Sequence, residues 1–126
     1  MTKIEMHRGD VVLIAFPFIV EGSVQRKRRP ALVVQADRYN RRREAVIIAA
    51  ITSSKAHREL PCKVFVARNS AAGRKGGLKL DSVVDCQTLA TVPRDEIVER
   101  IGNLPAETMQ QVGRALSDAL QLNLGS

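Results

Sequence analysis

Aromatic side chains are scarce in this chain, at 3% of 126 residues, and there is no tryptophan. Phe16, Phe18, Phe65 and Tyr39 are the full set. Proteins that hold single-stranded nucleic acid by stacking need more aromatic platforms than that. Cysteine is nearly as rare. Cys62 and Cys86 lie far apart with no CxxC spacing, which excludes a disulfide framework and a zinc knuckle. Both sit in apolar, strand-like segments, so buried free thiols are expected. His7 and His57 stand at no ligand spacing from a cysteine or carboxylate, so no metal is expected. The apolar runs are too short to span a bilayer, and the start, MTKIEMHRGD, lacks the apolar core of a secretory signal. A soluble, cytoplasmic protein without membrane attachment is the expectation.

Acidic residues are also outnumbered. Twenty Lys and Arg face thirteen Asp and Glu, for a formal net charge of +7. Such a balance favours a polyanionic partner. A hydrophobic fraction of 44% supports a packed core, and the length fits one domain over residues 1–126. With few aromatics, a grip on nucleic acid has to rest on charge and hydrogen bonds.

The stretch SVQRKRRPALVV, from Ser23 to Val34, concentrates that charge. Arg26, Lys27, Arg28 and Arg29 run directly into Pro30 and a strand-like apolar segment. Proline fixes its own φ and pushes the preceding residue toward extended backbone. Arg29 is therefore the cation that the main chain should hold in place. A fixed guanidinium at the mouth of a sheet suits a phosphate. A solvated charge run ahead of a strand gives the same pattern.

Periodicity predicts strands over residues 11–18, 30–36, 45–52, 62–67, 82–88 and 97–101. The third, AVIIAAIT, is apolar on both faces and should be central. Residues 19–28 read as a loop bent at Gly22-Ser23, and residues 37–43 as a polar, cationic connection. Residues 68–79, rich in Gly, Ala and Lys, read as a mobile connection. They lack the GxxxxGK[ST] of a phosphate loop. Residues 93–96 suggest a short helical turn. The terminal helix should be capped by Asn103, with Pro105 in its first turn and an apolar stripe of Met109, Val112, Leu116 and Leu120. Short strands with one terminal helix point to a curled sheet or small barrel.

Polar residues at strand ends are the remaining candidates. Thr52 ends the central strand, Gln87 lies in the fifth, and Ser23 precedes the basic run. Together with Arg29 they can supply donors to one phosphate. Each also has a structural use: a strand-end cap, an inter-strand hydrogen bond, a turn. Ser53-Ser54 followed by His57 is too generic to mark a nucleophile.

At this point the motifs converge. RGDVVLIAFPF (Arg8 to Phe18), GSVQRKRRPALVVQ (Gly22 to Gln35), AAITSS (Ala49 to Ser54), DSVVDCQTLATVPRDEI (Asp81 to Ile97) and IGNLPAETMQQVGRAL (Ile101 to Leu116) resemble, in that order, the MazF/PemK toxins. These are ribonucleases of bacterial toxin–antitoxin pairs. The resemblance implies a mainly β, SH3-like small barrel with a C-terminal helix, acting as a homodimer. It implies sequence-selective, metal-independent cleavage of single-stranded RNA with no cofactor. It carries the family's catalytic arginine onto Arg29 and its threonine onto Thr52. Ser23, Lys27, Arg28, Ser53 and Gln87 become RNA- or phosphate-binding positions. The arginine–aspartate pair of the Kid/PemK branch is replaced here by Asp85 and Gln87, so the MazF-type arrangement is the one carried over.

In such chemistry the 2′-oxygen attacks the adjacent phosphorus and the 5′-oxygen leaves. The ends are then a 2′,3′-cyclic phosphate and a 5′-hydroxyl. The resemblance further implies inhibition by a cognate, MazE-like antitoxin with an acidic C-terminal segment, and DNA contact only through that complex. Two other readings share the basic surface: a non-catalytic nucleic-acid-binding module, and a gyrase-directed toxin like the CcdB family, which has this barrel.

Overall fold

The computed structural model describes residues 5–15, 18–20, 22–25, 27–41, 44–53 and 59–122, with the main chain alone at 18–20 and 23–25. Six strands form one antiparallel sheet: β1 (Asp10–Ile14), β4 (Arg29–Val33), β5 (Ala45–Thr52), β6 (Lys63–Val66), β7 (Ser82–Pro93) and β8 (Ile97–Asn103). Their order across the sheet is β6-β7-β5-β4-β1-β8. β2 (Phe18–Val20) and β3 (Ser23–Gln25) make a separate hairpin turned at Gly22, where φ is +81°. Residues 19–20 and 23–25 of the stretch expected as a loop are thus paired. The predicted end of the first strand, Phe16-Pro17, lies outside the described residues.

β5 is central, as its sequence implied. Alternation sends Ala49 and Ile51 to one core and Val46 and Ile48 to the other. The first core also takes Val11, Leu32, Val64, Val84 and Cys86, with the terminal helix packed over it. The second takes Val12, Ile14, Ala31, Val33, Val92 and Ile97. An apolar strand with no polar face is stable only between two such layers. Both thiols are free and buried. Burial, reinforced by the charge of Asp85, raises the Cys86 pKa to about 11, which leaves it an unreactive thiol at neutral pH.

Several boundaries differ from expectation. β4 stops at Val33 because the chain bends at Gln35 into α1 (Asp37–Asn40). Buried Asn40 donates to the Gln35 carbonyl (3.0 Å) and accepts from its side-chain amide (2.9 Å). The polar connection is therefore a satisfied buried cluster. Arg8 and Asp10 of the RGD motif serve the same region. The Arg8 N–H donates to Asp37 (2.6 Å), its guanidinium donates to the Val34 carbonyl, and Asp10 accepts from the His7 N–H (2.8 Å). β7 runs beyond Thr88 to Pro93 because Leu89 to Pro93 pair with Ala49 to Ala45. Residues 94–96 form the short 3-10 turn that was expected.

The largest difference lies at residues 68–79. They hold α2 (Ala71–Lys75), capped by the Ser70 hydroxyl, which accepts from the Gly73 N–H at 3.0 Å. The glycines are there for close approach. A Cβ on Gly73 would stand 2.1 Å from the Ala67 carbonyl oxygen, and one on Gly77 would stand 2.2 Å from that of Ile101. Gly77 also has φ +70°. Composition suggested mobility, but the backbone is pinned.

α3 (Ala106–Leu120) closes the fold against β6 and β7. Val112 and Ala115 are buried, and Met109 and Leu116 pack beside them. Leu120, expected in the stripe, is 52% exposed, because the helix ends there with Gln121 in the left-handed region. The cap is Pro105, not Asn103, which is the last residue of β8.

Candidate active site

Arg29 opens β4, and Thr52 closes β5. The β4–β5 ladder pairs Ala31 with Ala50. That ladder ends there, and Arg29 and Thr52 each stand two residues beyond its last pair on neighbouring strands. On its other side Arg29 pairs with Ile14. Pro30 pairs with Leu13, at a strand end where a missing N–H is tolerated. Proline thus delivers the guanidinium to the open end of two adjacent strands, and both Arg29 and Thr52 are exposed.

Two cavities meet at that end. One, of about 880 Å³, lies between the strand ends, residues 77–80 and β8. The other, of about 320 Å³, lies toward the second core and is lined by Ile14, Ala50, Thr88 and Val92 among others. Arg29, Pro30, Ile51 and Thr52 line both. Exposed Ser53 borders the larger one. Lys27 and Arg28 are exposed on the segment that leads into β4. The Ser23 main chain belongs to β3, and its side chain lies outside the described residues, as do Arg26, Ser54 and His57.

Gln87 is placed differently. Ala49 pairs with Leu89 while Ala50 pairs with Asp85, so residues 86–88 bulge out of β7. Gln87 is exposed on that bulge and lines neither cavity; its neighbour Thr88 lines the smaller one. Asp85 holds the bulge. It accepts from the Gln87 N–H (3.0 Å) and the Thr88 hydroxyl (2.9 Å), and pairs with Lys63 (3.1 Å). Partial burial pushes its carboxyl up, but these three partners outweigh that and leave it below the usual value. Asp85 is committed to structure.

Sequence reasoning overlooked the far wall of the larger cavity: Lys79, Leu80, Glu99 and Arg100. The segment IVERI does not alternate, and the pairing of β8 with β1 was not legible in it. Among the described residues no three His, Cys, Asp or Glu side chains gather as a metal site. Nor is any helix long and apolar enough to cross a membrane.

The electrostatics of this end are cationic donors over an apolar floor. A guanidinium offers a planar fork of N–H groups, and a hydroxyl adds one more donor. Such a set can hold a phosphate and stabilise charge that develops on its non-bridging oxygens.

Residues 7–120 match the family model described as PemK-like, MazF-like toxin of type II toxin–antitoxin systems. The chain belongs to this family. It is 39% identical over 102 residues to Endoribonuclease MazF2 of Mycobacterium bovis, covering 80% of this chain and 85% of that one. It is 33% identical over 115 residues to Endoribonuclease EndoA of Bacillus subtilis, covering 91% and 94%. A solved mycobacterial endoribonuclease in complex with its cognate antitoxin shares the fold, with a TM-score of 0.71 at 23% identity over 94% of this chain and 97% of the other. The mainly β toxin fold with a terminal helix is therefore this chain's fold. Here it takes the form of a six-stranded sheet with β6 and β8 at its edges.

Proposed function

We propose that this toxin is an endoribonuclease that cuts single-stranded RNA at selected sequences, without a metal, by attack of the 2′-oxygen on the adjacent phosphorus. The observation that carries the reading is that Arg29, at the start of β4, and Thr52, at the end of the neighbouring β5, line the same two cavities. In the transition state negative charge gathers on the non-bridging oxygens. A well-aimed donor lowers that barrier by about 3–4 kcal/mol. Arg29 supplies that charge stabilisation, and the Thr52 hydroxyl supports it. A guanidinium holds its proton too tightly to be a good base, so positioning and charge stabilisation are its tasks. Ser53 and Ser23 orient phosphate or ribose, and Lys27 and Arg28 draw the strand in. Gln87, standing on the bulge, contacts RNA outside the two cavities.

The active species is a homodimer in the cytoplasm. A cognate antitoxin inhibits it by laying an acidic segment, like that of MazE, over the basic cleft; this agrees with the antitoxin complex solved for a structural relative. DNA is met only through that toxin–antitoxin complex. A pure binding module would have no need of a hydroxyl set beside the guanidinium, and a gyrase-directed toxin would have no need of either.

The test is a synthetic RNA containing the cut site, with and without one 2′-deoxyribose at that site. The expected result is cutting of the all-ribose strand in the presence of a chelator, leaving cyclic phosphate and 5′-hydroxyl ends, and no cutting of the deoxy-substituted strand. Cleavage of both strands would refute attack by the 2′-oxygen.

A further inference from the structure

The larger cavity is far bigger than a phosphate requires. At about 880 Å³ it extends from Arg29 and Thr52 across the sheet to β8. Part of its lining is a cross-strand row. Leu13 pairs with Pro30 on one side and with Glu99 on the other. The row therefore begins at Pro30, the residue after Arg29, passes over Leu13, and ends on a carboxylate, while Arg29 itself pairs with Ile14 in the next row. Two strand spacings separate Glu99 from β4, about 10 Å. That is comparable with the reach from a nucleotide's phosphate to the outer edge of its base.

A carboxylate is an odd lining for a cleft in a chain of net charge +7 that has to attract phosphates. It opposes nonspecific binding of a polyanion. Glu99 is exposed, and its carboxylate has neither a hydrogen bond nor an ion pair among the described residues. A structural carboxylate in this protein looks different: Asp85 and Asp10 are both engaged by neighbours. An acceptor left facing a cavity favours a ligand only when that ligand brings N–H donors. Leu80 stands 59% exposed on the same wall, an aliphatic surface against which a flat ring can lie where no aromatic side chain is offered.

We infer that the Glu99 end of this cavity is a base-reading subsite, taking one unstacked nucleobase with an exocyclic amino group while Arg29 holds its neighbouring phosphate. The inference rests on the ribonuclease reading above and adds a source of its sequence selectivity. An ionised carboxylate accepts from an amino group and repels the carbonyl edge of uracil.

The experiment compares native protein with Glu99→Gln and Glu99→Asp variants on a randomised RNA pool, sequencing the cut ends. Native protein is expected to favour adenine, cytosine or guanine over uracil at one position of its motif. Glu99→Gln should relax that position by about tenfold or more, the scale of one good base contact, and leave the other positions unchanged. Glu99→Asp should retain the preference in part, an outcome a merely structural role would not produce. An unchanged motif in Glu99→Gln, or a relaxed position that had favoured uracil, would overturn the inference. Arg29→Ala is run beside them. If it abolishes cutting while the Glu99→Gln motif stays native, the subsite alone fails and the ribonuclease reading stands. A native protein that cuts no RNA would bring down both.

Discussion

Two basic stretches of this chain look alike on paper and are mounted in opposite ways. Lys27 to Arg29 lead into β4, and the last of them lines, with Thr52, two cavities. Arg74 and Lys75 end α2, where Gly73 inside the helix and Gly77 just after it press against the backbone of neighbouring segments. Arg74 uses its guanidinium locally, donating to the Asn69 carbonyl. One stretch presents its charge at a site, and the other spends its backbone on holding α2 and the chain behind it against β8. Charge density therefore does not mark the site. What marks it is the backbone that aims each cation.

The widest separation of the two stretches should appear in turnover. Arg29→Ala removes a donor aimed at transition-state charge, and cleavage should fall by about 10²–10³-fold. Arg74→Ala should cut RNA at nearly the native rate. Both variants should unfold at the native temperature, since both side chains are exposed. An Arg29→Ala variant that folds and cuts normally would erase the difference between the stretches.

The second contrast is in stability. Gly77→Ala places a Cβ 2.2 Å from a carbonyl oxygen at φ +70°, and should cost about 3 kcal/mol or more in denaturant unfolding. Gly113→Ala is the control. It sits inside α3 with nothing within 4 Å of the new methyl, and alanine there should add up to about 1 kcal/mol. If both changes had the same small effect, α2 would be as loose as its composition suggests.

Much of this was legible in advance, for identifiable reasons. β5 was read from Ala45 to Thr52 with the boundaries observed, because an uninterrupted apolar run has nowhere to go but a sheet centre. Arg29 was singled out because proline constrains the residue before it, a strictly local rule. Most of the departures from expectation were nonlocal. Gly73 and Gly77 look flexible until Ala67 and Ile101 are brought against them. Gln87 was expected within a regular strand, and the bulge on which it stands is held by Asp85 and Lys63, one of them on a different strand. Glu99 went unremarked because nothing in VERI tells which strand lies alongside. Sequence pattern reports the face of a strand well, and reports its neighbours poorly.

The finest expected difference is electrostatic. Each phosphate neutralised on a single strand releases condensed counterions, so the slope of log affinity against log salt shrinks by about 0.7 when one such contact is lost. Lys27 is exposed on the approach to Arg29. In Lys27→Ala, binding of a non-cleavable deoxy-substituted RNA should weaken modestly, and the slope should fall by about that amount. Lys75→Ala removes the same formal charge from the other stretch and should leave the slope unaltered, because a lysine outside the strand's path only shifts a field that salt already screens. Equal slopes in the two variants would mean that RNA runs over α2 as well. The cleft would then be wider than the strand ends and β8 alone define.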